Sequence, residues 1–125
     1  MKGMALLIFF LLILATNISS LKINEVELNP AGSDAGSEWI EFYSKEEVDL
    51  STYKIANNDG NELLLSGVFS KYYVYVLEKQ WLDNSDEKIF LYEGEKLIDE
   101  TDIFADSGND GFSWQFCDSW QFLES

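Results

Sequence analysis

Ser37-Glu38-Trp39-Ile40-Glu41-Phe42-Tyr43-Ser44 is the stretch on which the fold turns. Ile40 and Phe42 fall on one side of an extended chain and Trp39, Glu41 and Tyr43 on the other, because successive side chains of a strand point to opposite faces. Upstream lies Pro30-Ala31-Gly32-Ser33-Asp34-Ala35-Gly36, a proline and glycine segment that reads as a loop. A strand entered from a loop, with one apolar face, is the unit from which a half-buried sheet is built.

The same pattern recurs in both directions. Leu21 to Leu28 has apolar residues at 21 and 23, then at 26 and 28, so its alternation changes phase at Asn24-Glu25. One extra residue there is the mark of a β-bulge, which keeps both halves facing the core. Tyr53–Asn57 and Glu62–Ser66 flank Asn57-Asn58-Asp59-Gly60-Asn61, where Asp-Gly supplies the positive φ angles of a tight hairpin. Tyr72–Glu78 is apolar on both faces and is expected to be a central strand, covered on each side. Lys88–Tyr92 and Leu97–Ile103 pair around Glu93-Gly94-Glu95-Lys96, and Phe112–Cys117 sets Phe112, Trp114 and Phe116 on one face. No window keeps a helical period long enough for a helix. Seven or eight short strands and almost no helix predict an all-β, immunoglobulin-like sandwich over residues 21–125.

Residues 1–20 have another character. Met1-Lys2-Gly3 precedes an apolar run from Met4 to Ala15 and a polar stretch ending Ile18-Ser19-Ser20, the order of a secretory signal peptide. The run is short of the ~20 residues that span a bilayer, so cleavage, best placed after Ser20, is expected over a retained anchor. The chain is expected to be secreted or held at the cell surface, meeting the membrane only through this segment if it is uncleaved. Cys117, the one cysteine, has no partner within the chain. It reads as a buried small hydrophobe, the other reading being an intermolecular disulfide.

Residues 21–125 hold 23 acids against 7 lysines, a net charge near −16, with no arginine and no histidine. Such a field repels phosphate and excludes nucleic acid as a partner. Without histidine the usual base for a serine or cysteine nucleophile is missing, and without arginine so is bidentate grip on an anionic transition state. Glu38 and Glu41 project to opposite faces and cannot act as a carboxylate pair. No enzyme activity and no catalytic residue is expected.

Several segments together resemble the lamin tail domain family, an immunoglobulin-like fold found in nuclear lamins and in exported bacterial and archaeal proteins. The resemblance covers most of residues 21–117. It rests on Ile23-Asn24-Glu25-Val26 with Asn29-Pro30, on Gly36-Ser37-Glu38-Trp39-Ile40-Glu41-Phe42-Tyr43, and on Asp49-Leu50-Ser51 with Tyr53 and Ile55. Ile89-Phe90-Leu91-Tyr92, Leu97-Ile98-Asp99 and Ser113-Trp114-Gln115 follow where the family has its later strands. Tyr53 stands where the family commonly has Trp, Thr52 where Gly is common, and the closing Thr-Pro-Gly is missing, so either an incomplete last strand or a truncated reading frame is expected. Asn24, Glu25 and Trp39 are read as structural, the first two as partners for backbone groups at the bulge.

The resemblance implies a non-enzymatic, exported binding or structural module, working in cell-surface association or adhesion on a protein or carbohydrate partner. Two alternatives stand beside it: a calcium-assisted carbohydrate-binding sandwich, and an accessory domain of an exported hydrolase. No cofactor is expected apart from calcium, for which Asp102, Asp106 and Asp110 are the candidate ligands. They lie on or beside the glycine-containing loop Asp106-Ser107-Gly108-Asn109-Asp110-Gly111, although a solvated acidic loop is the preferred reading of the run. Tyr72, Tyr73, Tyr75, Trp81, Trp114 and Trp120 are expected to be core residues first, and form a stacking or protein-binding patch if one sheet face is uncovered. Trp120 and Phe122, beyond the last strand that the pattern marks, are the first candidates for contact with a partner or a missing strand.

Overall fold

The structure is a computed structural model and describes residues 20–33 and 36–125. The expected signal peptide, residues 1–20, lies outside the described residues except for Ser20. Nine strands follow: β1 (Lys22–Glu27), β2 (Trp39–Asp49), β3 (Tyr53–Asn57), β4 (Glu62–Leu64), β5 (Val68–Val76), β6 (Ile89–Glu93), β7 (Lys96–Glu100), β8 (Phe112–Phe116) and β9 (Trp120–Glu124). A 3₁₀ turn, Leu50–Thr52, joins β2 to β3. Asp49 starts it by accepting from the Ser51 amide at 2.9 Å, which offsets one of the donors that a turn of helix leaves open.

All pairings are antiparallel. One sheet runs β5-β2-β1-β8-β9 and the other β4-β3-β6-β7, and together they form an all-β sandwich. Ile23 and Val26 from the first strand, Leu28 just beyond it, and Ile40 and Phe42 from the second meet Tyr53, Ile55, Ile89 and Leu91 of the opposite sheet. Each is buried, as the alternation of its strand requires. Phe104, on the chain between β7 and β8, is also fully buried and completes this core.

The bulge falls where the phase change places it. Ile23 pairs with Phe42 and Glu25 with Glu41, leaving Asn24 as the extra residue. Asn24 Nδ2 donates to Glu41 Oε1 at 2.8 Å, and Ser113 Oγ donates to Glu25 Oε2 at 2.7 Å. The bulge side chains thus tie β1 to both of its neighbours.

Three expectations are corrected. The strand that contains Tyr72–Val76 is an edge, paired only with β2. Its inner side chains meet the core while its outer ones meet solvent, so an apolar outer face here marks exposure and not a covering layer. The sheet also does not stop at Phe116. Asp118 turns the chain at φ 66°, and β9 pairs with β8 along all five of its residues. Cys117 sits in that turn and is an exposed free thiol, because the turn holds it out of both sheets.

Candidate functional site

The exposed outer face of β5 begins with sequence alternation. Phe69, Tyr73 and Tyr75 turn inward, and Phe69 is buried; Tyr72, Val74 and Val76 turn out and are 61%, 48% and 52% exposed. Directly across, β2 presents Tyr43, Glu41 and Trp39 to these three residues in turn. Tyr43 and Tyr72 meet with ring centroids 5.1 Å apart. Val68, at the start of the strand, is 58% exposed. The outcome is a strip of aromatic and branched side chains along an edge whose only charged residue is Lys71.

Beside the end of β5 a cleft of about 410 Å³ opens between Leu63, Tyr75, Val76, Leu77, Glu78, Lys79 and Trp81. Its Trp81 wall is fixed from below by Glu38. This carboxylate is fully buried, and its Oε1 accepts from the Trp81 and Leu82 amides at 2.7 and 3.1 Å. Asn57 Nδ2 also donates to the Trp81 carbonyl at 3.1 Å. Glu38 of the segment that opens the fold therefore acts as an anchor for the β5–β6 connection. Glu41, on the outer face, accepts from Asn24, so the two carboxylates have separate tasks.

Of the expected partner residues, Trp120 and Phe122 lie on β9. Trp120 meets Phe104 edge-on at 5.0 Å and Phe116 at 5.4 Å; Phe122 meets Trp114 at 5.2 Å and Phe112 at 5.6 Å. Trp114 stacks on Phe104 at 4.8 Å and donates to the Ala105 carbonyl. These aromatics close the side of the sandwich where β8 and β9 lie. Phe112, Phe116 and Phe122 keep 38%, 37% and 38% of their surface exposed, so contact with a partner remains open to them.

The three expected calcium ligands differ in burial. Asp102 and Asp110 are exposed and Asp106 is buried. Asp106 Oδ1 accepts from the Gly108 amide at 3.0 Å, and Asp110 Oδ1 from the Phe112 amide at 3.1 Å. Both therefore brace the loop's own backbone. Among the described residues, no set of three acids that includes Asp102, Asp106 or Asp110 brings its oxygens within 4.8 Å of one another. Instead Asp106 and Asp110 lie near Glu27, whose carboxyl is pushed up to about 7 chiefly by burial and further by these two charges, against the hydrogen bond that it accepts from the Asn29 amide.

Sequence reasoning missed β9 and the edge position of β5. The trace of the first was the short alternation of Trp120 and Phe122 around Gln121. A scan against protein-family models, a search of curated proteins and a search of solved structures each found no match to this chain.

Proposed function

We propose that this chain is an exported, non-catalytic association module of the lamin-tail type, which docks a partner polypeptide along the open edge and outer face of β5. The observation that carries the reading is the apolar strip on that edge. Edge strands in soluble proteins are normally blunted by charge, proline or a covering element, because their free backbone groups template further pairing. β5 carries one lysine and three half-exposed apolar side chains on its outer face. Addition of an extended segment would satisfy the backbone groups and cover those side chains together.

The partner is a neutral or basic segment. With a net charge near −16 over residues 21–125, a second copy of the chain is repelled and a cationic strand is attracted. The lamin-tail reading rests on the sequence segments Ile23-Asn24-Glu25-Val26, Gly36–Tyr43 and Ser113-Trp114-Gln115. The lack of histidine and arginine supports a role without catalysis.

Panning a display library of extended peptides on the full purified chain tests this. Basic sequences with alternating apolar residues are expected to be enriched, and Val74→Lys is expected to abolish their binding. Enrichment that Val74→Lys leaves intact would contradict the proposal. So would binding to a glycan array that depends on Tyr75 and Trp81, since the cleft beside them is the observation favouring a carbohydrate ligand.

A further inference from the structure

Two loops that are distant in sequence converge on three acids. Asp59 lies in the β3–β4 turn, Asp83 and Glu87 in the β5–β6 connection, and one oxygen from each lies within 4.8 Å of the others. We infer that Asp59, Asp83 and Glu87 bind a calcium ion, which cross-links the hairpin to the connection.

The frame is already built. Asn57 Oδ1 accepts from the Asp59 and Asn61 amides at 3.2 and 3.0 Å and so shapes the turn. Asn58 bridges to the connection: its amide donates to the Lys88 carbonyl, its Oδ1 accepts from the Lys88 amide, and its Nδ2 donates to the Asp86 carbonyl. Glu87 is held from the other side by paired backbone bonds to Phe104, at 3.0 and 2.7 Å. The backbone at Asp59 and Glu87 is thus set by contacts that do not use their carboxylates.

What points to a ligand is Glu87. It is fully buried; its Oε2 accepts from the Asp83 amide, and its Oε1 has no hydrogen-bond partner. A buried carboxylate oxygen left without a donor is costly, and such groups are normally paired or bound to a metal. Among the described residues no salt bridge reaches Asp59, Asp83 or Glu87, and Lys88 lies 3.4 Å from Glu100 instead. In agreement, burial and the negative charges of Asp83, Asp59 and Glu38 push the Glu87 carboxyl up to about 7. Asp83 is raised as well, first by its hydrogen bond with Asp59.

The donors choose the ion. They are oxygens without imidazole or thiolate, which suits a hard divalent cation. Asp59 and Asp83 are exposed, which leaves room for the water and further oxygens with which calcium completes six to eight ligands. Trp81 lies two residues before Asp83 and lines the cleft. The ion therefore stiffens that wall too.

Calorimetric titration of the full purified chain with calcium, together with terbium luminescence excited through tryptophan, tests the site. One equivalent of calcium is expected to bind and to displace terbium. Asp59→Asn and Asp83→Asn are each expected to weaken binding by at least about tenfold, while Asp102→Asn and Asp110→Asn leave it unchanged. Both trio substitutions are at exposed positions, so they test the site even if Glu87→Gln fails to fold. The inference is overturned if no calcium binds at millimolar concentration, if the Asp59→Asn, Asp83→Asn double variant binds like the parent, or if magnesium binds as tightly as calcium.

Discussion

Ser113 shows how much one polar side chain carries at the bulge. It is fully buried and donates to Glu25, whose carboxyl is raised by burial, lowered by this bond and raised again by Glu41 opposite. Ser113→Ala removes the donor but not the carboxylate, so a loss of roughly 1–3 kcal/mol is expected in urea unfolding, with an unchanged m-value. Glu27 gives a pH dependence. Its folded carboxyl titrates near 7 against an ordinary 4.5, so the folded state holds the proton more tightly than the unfolded state. The stabilisation is complete below about 4.5, declines as pH rises between the two values, and is gone above 7. Glu25, Asp106 and Asp110 face this group and the Asn29 amide opposes them. Thermal melts of Glu27→Gln are expected to lie above the parent at pH 8 and to fall less steeply between pH 5 and 8. An identical pH slope in parent and variant would show that Glu27 does not contribute.

At the scale of the element, local patterns were legible and spatial ones were not. Tyr53–Asn57 forms a strand with the bounds its alternation marks, the β1 bulge sits at the phase change, and Gly60 turns the hairpin at φ 85°. Each depends on neighbours along the chain. β9 was missed because its turn, Cys117-Asp118-Ser119, contains no glycine or asparagine, although Asp118 adopts the positive φ itself. The inner role of β5 was misjudged because an apolar outer face ordinarily means cover, and here the rule that keeps edges polar is broken. The Asp59, Asp83 and Glu87 group was hidden since Asp59 reads as a turn residue and the other two as loop acids; only the packing of two loops joins them. Asn57, read as the start of the turn, also holds Trp81. Asn57→Ala removes bonds to two turn amides and to that carbonyl in a buried place, and is expected to cost about 2–3 kcal/mol, seen as a lower urea midpoint.

The whole molecule combines a well-packed sandwich with an unbalanced surface charge. Its three salt bridges among the described residues are partly exposed and contribute little. Packing of the two sheets must therefore outweigh self-repulsion, and the melting temperature is expected to rise with sodium chloride as the charges are screened. A temperature that falls or stays level over the same range would show that repulsion is not a significant cost. On the proposed reading the same field would select a cationic partner, and the open side of β5 would give that partner a place to pair. Residue-resolved amide hydrogen exchange on the full chain, free and bound to an enriched basic peptide, tests this most directly. Alternate amides of Val68–Val76 are expected to exchange fast in the free chain and to become protected in the complex, while β1 and β2 stay slow in both. Uniform protection across Val68–Val76 in the free chain, or binding that leaves the fast amides of β5 unprotected, would contradict the open-edge account.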